Sequence, residues 1–269
     1  LLDIHCHILP GVDDGAGDLD QSLAMARIAV AEGVTTIACT PHMTPGVYDN
    51  RGPDVIARVE ALQLAFDEAG VPLQLVAGAD VHVAPDVTAR LRSGEALSLN
   101  GSRYVLVEPP HHVAPPRLDG VFFDIAAAGY HPILTHPERL TWIERRFDVI
   151  ERLFRAGVWM QITAGSLEGQ FGSQARYWAE RMLDEGMVHV VASDAHDDRV
   201  RPPRLRKAHD MLARRMGKAE ADNLLIHRPH VALTNAPPSA APAPPRAPAE
   251  TAAAGGSFWR SVADLWRTA

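Results

Sequence analysis

Cysteine is nearly absent from this chain: Cys6 and Cys39 are the only two. A disulfide scaffold is therefore excluded, and each lies in an apolar run where a reduced thiol acts as a small core residue. Lysine is as scarce, with only Lys207 and Lys218 among 26 basic residues. Acidic residues are in excess and the formal net charge is −7, which argues against nucleic acid as the main partner. No apolar run is long enough to span a bilayer, and no secretory apolar region stands before the first strand. The expectation is a cytoplasmic protein without a transmembrane segment. A glycine-rich phosphate fingerprint after the first apolar run is also missing, which weighs against a dinucleotide-binding sheet.

What the chain does have is core-forming material: 269 residues, 46% of them hydrophobic. Seven short apolar runs read as strands: "LLDIH", "TTIACTPH", "LQLVAGAD", "RYVLVEPP", "HPILTHPER", "WMQITAGS" and "VHVVASDAH". Segments of helical periodicity separate most of them and stop at Gly33, Gly70, Gly129, Gly157 and Gly186. Strands that are apolar throughout suit a parallel sheet covered by helices. The expected fold is α/β, a distorted seven-stranded β/α barrel over residues 1–230, with an open doubly wound sheet as the alternative. Residues 231–256 are rich in Pro and Ala and read as a linker. In residues 257–269, Phe258, Trp259, Val262, Leu265 and Trp266 fall on one helical face. That tail is a candidate for docking back on the domain or for peripheral contact with a partner or membrane surface.

The ionisable residues sit at one kind of place. The first strand ends at His5 and His7, which alternation puts on one face. The second ends at His42, the third at Asp80, the fourth at Glu108, the fifth at His136 and the seventh at Asp194 and His196. Only the sixth, ending in "TAGS", brings none. The C-terminal strand ends are where β/α barrels carry their chemistry. Any one of these residues can be structural, as a core histidine or a helix cap. A set converging on one rim, with few cations to neutralise it, would be costly to bury unless it held metal. Asp13 and Asp14 in the first loop add oxygen donors. Nitrogen and oxygen donors suit Mn, Fe or Zn, and their number suits two or three ions, an arrangement typical of phosphoester hydrolysis.

The stretches "DIHCHILPGVDDGA", "ACTPHMTPGVY", "LTHPERL", "ITAGSLEGQFG" and "VASDAH" together resemble the PHP (polymerase and histidinol phosphatase) superfamily. Within it they look like the bacterial manganese-dependent protein-tyrosine phosphatases of capsule and exopolysaccharide operons. The resemblance implies a distorted, TIM-like seven-stranded barrel of the PHP type with a trinuclear manganese centre. It implies hydrolysis of phosphotyrosine on a partner tyrosine kinase, by attack of a metal-bound hydroxide. On the same ground His5, His7 and Asp194 would hold one metal, Glu108 and His136 a second, and Asp80 the bridge between them. Asp14, His42 and His196 would hold the third. Arg139 and Arg201 fall where the family binds phosphate, with Arg199 and Arg204 as rivals to Arg201. Asp80 departs from the usual Glu and is one methylene shorter. His82, two residues on, reads as packed.

The rivals are a small-molecule phosphomonoesterase of the same superfamily, acting on a histidinol-phosphate-like ester, and a metal-binding regulatory protein with weak turnover. An amidohydrolase lacks its expected Lys near a central strand end. A cysteine phosphatase needs Arg six positions after Cys, where Val12 and Pro45 stand.

Overall fold

Short apolar runs become strands and amphipathic ones become helices in a computed structural model that describes residues 1–246. The strands are β1 (Leu2–Cys6), β2 (Thr36–Cys39), β3 (His42–Met43), β4 (Gln74–Ala77) and β5 (Asp80–His82). They continue as β6 (Tyr104–Glu108), β7 (His131–Thr135), β8 (Trp159–Thr163) and β9 (Val190–Ala192). The helices are α1 (Leu19–Ala31), α2 (Gly52–Glu68), α3 (Val87–Ser93), α4 (Leu118–Ala127) and α5 (Phe147–Arg155). After them come α6 (Ala164–Leu167), α7 (Gly172–Asp184), α8 (Arg206–Met216), α9 (Lys218–Asp222) and α10 (Arg228–Leu233).

The fold is α/β with parallel strands throughout, in two sheets ordered β1-β2-β4 and β3-β5-β6-β7-β8-β9. The expected closed, seven-stranded, TIM-like barrel is not formed: there are nine strands among the described residues, because two of the expected ones are broken. Between β2 and β3 stands Pro41, which has no N–H for a ladder. Between β4 and β5 stands Gly78, so closely packed that a Cβ there would lie 3.0 Å from Leu99 and 3.2 Å from Thr40. The end of β1 and the turn after β9 are joined by a single bridge, Cys6 to Ala195, with His7 N donating to Ala195 O and Asp194 N to His5 O, both at 2.8 Å.

Alternation along the strands sorts the core into two clusters. Val105 and Val107 of β6 face the helices, while Tyr104 and Leu106 face an inner cluster with Ile4, Ala38, Ile133 and Trp159. Glu108, two positions past Leu106, continues the inner face to the C-terminal end of its strand. At the opposite end the inner cluster is plugged by Val231, Ala232 and Leu233 of α10, and Tyr104 donates to Ala236 O at 2.9 Å. The first part of the segment read as a linker is thus held against the domain. Arg228, only 1% exposed, pairs with Glu220 at 2.8 Å and donates to the carbonyls of Pro242 and Ala243. Residues 257–269 lie outside the described residues. No helix among the described residues is long and apolar enough to cross a membrane.

Candidate metal centre

Parallel strands leave all their C-terminal ends at one side, and the residues singled out there converge. His5 and His7 bring their Nε2 atoms within 3.2 Å of each other. Asp194 Oδ1 lies 3.5 Å from His5 Nε2 and 3.4 Å from His7 Nε2. Asp80 Oδ2 lies 3.6 Å from His5 Nε2 and 3.4 Å from His42 Nδ1. Glu108 Oε1 faces His136 Nε2 at 3.6 Å. Asp14 Oδ1 lies 3.5 Å from His42 Nε2 and 3.4 Å from His196 Nε2. All nine are brought together, around a cavity of ≈ 220 Å³ whose wall includes Asp14, His42, Glu108, His136, Arg139 and Arg201.

Four groupings have donor atoms close enough to share an ion: His7, Asp14, His42 and His196; His5, His7 and Asp80; His42, Asp80 and Glu108; Glu108, His111 and His136. Asp80 belongs to two of them, a shared position for a short carboxylate. Both Asp80 oxygens are buried without a hydrogen-bond partner, as are His42 Nδ1 and His136 Nδ1. Buried polar atoms are normally paired, so orphans clustered among facing carboxylates and imidazoles fit a site built for cations.

The backbone is forced at two of these places. His136 has φ +34° and Asp194 φ +49°, left-handed conformations that cost a non-glycine residue roughly 1 kcal/mol or more. His136 also precedes Pro137, which disfavours helical backbone before it. Neighbouring contacts hold the two turns. Glu138 is buried and accepts from Thr163 N and Ser166 Oγ, both at 2.8 Å, tying the turn after β7 to the end of β8. Asp3, fully buried, accepts from Ser193 N at 3.0 Å and anchors the turn after β9 to β1.

Gln161, which the sequence did not single out, and Asp13, expected there as an oxygen donor to metal, orient the histidines instead. His5 Nδ1 donates to Gln161 Oε1 at 2.9 Å, and Gln161 comes from β8, the strand that brings no ionisable group. Asp13 sits outside the groupings above: its carboxylate accepts from His7 Nδ1 at 2.7 Å, His42 N at 2.9 Å and Gly15 N at 3.0 Å. Gly15 is required there, because a Cβ would lie 2.1 Å from His7 O. His82 is not packed in the apolar interior. Its Nδ1 faces Glu108 Oε2 at 3.5 Å and its side chain is partly exposed.

Arg139 and Arg201 both reach the cavity and both donate to Asp194 Oδ2, Arg201 at 2.8 Å. The Phe171 ring lies under both guanidinium groups, 4.2 Å from Arg139 and 5.4 Å from Arg201. Arg199 is not at the site; its side chain is 87% exposed. Charge in the cluster is strongly coupled. Burial alone would lower the His7 imidazole, but hydrogen bonds to Asp13 and Asp194 overcome it and push it up to about 10. Burial would raise Asp194, yet His5, His7, Arg139 and Arg201 hold it well below the usual carboxylate range. Burial and the Arg139 charge push His136 down, favouring the neutral imidazole that a metal requires.

The sequence model of the family described as "Capsular polysaccharide synthesis, CpsB/CapC" matches residues 1–234. Tyrosine-protein phosphatase YwqE of Bacillus subtilis (strain 168) is 36% identical over 235 residues, covering 87% of this chain and 92% of that protein. Tyrosine-protein phosphatase CpsB of Streptococcus pneumoniae is 28% identical over 234 residues, covering 85% and 96%. A solved structure from work on YwqE and CpsB, described as "unique metal-dependent tyrosine phosphatases", superposes with a TM-score of 0.82 at 34% identity. It covers 91% of this chain and 99% of its own.

Proposed function

The chain belongs to the CpsB/CapC family of capsular polysaccharide synthesis, and on that premise we propose that it is a metal-dependent protein-tyrosine phosphatase. Its substrate would be phosphotyrosine on the tyrosine kinase that controls capsule and exopolysaccharide synthesis, in the cytoplasm. Relatives named tyrosine-protein phosphatases, and the likeness to metal-dependent ones, support this reading. The single observation that carries it is the convergence of the largely buried His/Asp/Glu cluster and two arginines on one small cavity.

His5, His7 and Asp194 would hold one ion, Glu108 and His136 a second, with Asp80 shared, and Asp14, His42 and His196 a third. We assign manganese, with iron or zinc as alternatives from the same donor chemistry. Bound, such ions supply a nucleophile from water near neutral pH and offset charge on the phosphoryl oxygens. The chain's own residues prepare for that. When a metal displaces the second proton of His7, Gln161 and Asp13 would keep the remaining protons of His5 and His7 on Nδ1, so that each Nε2 would present its lone pair to the cluster. Arg139 and Arg201 now donate to Asp194, and the same planar forks fit phosphate oxygens, with Phe171 fixing their planes. Tyrosine leaves as a phenolate, whose conjugate acid has a pKa of about 10, so the reaction asks less of a general acid than an alkyl ester would.

The loops that follow the strands' C-terminal ends support a protein over a small polar ester as the substrate. Val47, Val113 and Val200, on the loops after β3, β6 and β9, are among the most exposed large apolar side chains, at 69%, 67% and 76%. Residues flanking a phosphotyrosine would cover them; histidinol phosphate would not.

The test is phosphate release from a phosphotyrosyl peptide and from histidinol phosphate, using metal-stripped protein with manganese restored. Manganese-dependent release favouring the peptide, and lost in His136→Ala, is expected. Preference for histidinol phosphate would move the substrate. Metal binding without turnover on either would leave a regulatory protein.

A further inference from the structure

His111 lies outside the set of nine, yet it is aimed at the centre. Its Nε2 is 3.2 Å from Glu108 Oε1, the oxygen that also faces His136 Nε2 at 3.6 Å, and the two imidazole rings are 4.9 Å apart. The other Glu108 oxygen is turned toward His42 and His82. His111 reaches this place on a loop after β6 that is pinned on both sides of the approach. Pro109 and Pro110 restrict the backbone before it, and Trp142 Nε1 donates to Pro110 O at 2.9 Å. Thr141 binds the His111 carbonyl twice, through N at 3.0 Å and Oγ1 at 3.1 Å. Holding a loop histidine by three contacts, beside a buried His136 whose Nε2 faces the same carboxylate oxygen, is preorganisation of the kind a coordination site needs. An ordinary surface histidine needs none of it.

We propose that His111 is a further metal ligand, which with Glu108 and His136 makes one carboxylate–imidazole–imidazole position that holds Zn²⁺ more tightly, relative to Mn²⁺, than the same position does without His111. A second imidazole shifts a site from hard, oxygen-preferring ions toward borderline ones. The inference rests on reading the cluster as a metal centre.

The test compares the full chain with His111→Ala, His111→Asn, His112→Ala and His136→Ala, each checked for native circular dichroism. His112 is the neighbouring exposed histidine and serves as the control. Metal-stripped protein is titrated with Zn²⁺ and, separately, Mn²⁺, and the absorption spectrum of the Co²⁺-loaded protein is recorded. The expected result is at least about a tenfold loss of Zn²⁺ affinity at one position in both His111 variants. Mn²⁺ affinity should fall less, and the Co²⁺ bands should shift, with His112→Ala unchanged in every respect. If His136→Ala loses a bound ion but His111→Ala binds Zn²⁺ as the parent does with the same Co²⁺ spectrum, the assignment of His111 is overturned. If His136→Ala loses nothing either, the metal-centre reading itself falls and takes this inference with it.

Discussion

Replacing Asp13 by asparagine changes one oxygen to an amide nitrogen and should disarm a histidine that the substitution never touches chemically. The Asp13 carboxylate has no spare capacity for a donor: Oδ2 accepts from His7 Nδ1 and His42 N, and Oδ1 accepts from Gly15 N. With the amide oxygen kept on Gly15, the NH₂ group opposes two N–H donors. With the amide flipped, it opposes Gly15 N instead. In the first arrangement His7 relieves the clash only by moving its proton to Nε2, the atom that faces His5 and Asp194. A protonated Nε2 cannot bind a metal. Losing an orienting partner of this kind costs about 10- to 100-fold in metal affinity, or roughly 1.4 to 2.7 kcal/mol. In either arrangement one backbone N–H, that of His42 or that of Gly15, is left without its acceptor, which adds about 1–3 kcal/mol to the loss of fold stability. Calorimetric titration of metal-stripped Asp13→Asn with manganese reads the first quantity, and a thermal melt of the same sample reads the second. Parent-like affinity and an unmoved melt would refute the tautomer argument, and Asp13 would be a loop residue with no hold on the site.

Three further outcomes follow from other parts of the molecule. Phe171→Ala removes the ring beneath both guanidinium groups. At about 0.5–2 kcal/mol for such stacking, kcat/KM on a phosphotyrosyl peptide should fall by roughly 2- to 30-fold, with bound metal unchanged. Arg228→Met breaks the buried pair with Glu220 and frees the carbonyls of Pro242 and Ala243. Denaturant unfolding should show a loss of about 3 kcal/mol or more, with limited proteolysis cutting near residues 237–246 before the rest of the domain. His189 is buried against Trp159, and burial followed by the Arg228 charge pushes its pKa down to about 3. Its unfolded pKa is about 6.5, so between those values only the unfolded chain takes the proton, and stability falls with falling pH. Between pH 7 and pH 5 this one group should cost about 2 kcal/mol. His189→Asn should show a correspondingly shallower loss of melting temperature over that range; an identical slope would remove His189 as the cause.

Much of this site can be read from the chain because parallel strands fix direction. Once the runs ending at His5, Asp80, Glu108, His136 and Asp194 are strands separated by helices, their last residues have to share one end, whatever the exact curvature of the sheet. The breaks at Pro41 and Gly78 show where that reasoning stops. Each preserves the direction of the strand but ends its ladder, so the convergence of His42 and Asp80 survives while the expected seven-stranded closure does not. Residues reaching the site from irregular backbone were harder to see, since alternation says nothing about where a side chain points after a Pro-Pro turn or in a left-handed residue. His111 and Phe171 are of that kind. Gln161 was missed for a different reason: a search for ionisable groups passes over a neutral amide. Yet its place was open to inference, because "WMQITAGS" is the one of the seven strand runs in the sequence that brings no charge to a rim built of charges, and an imidazole such as His5, asked to keep its proton on the far nitrogen, needs an acceptor there.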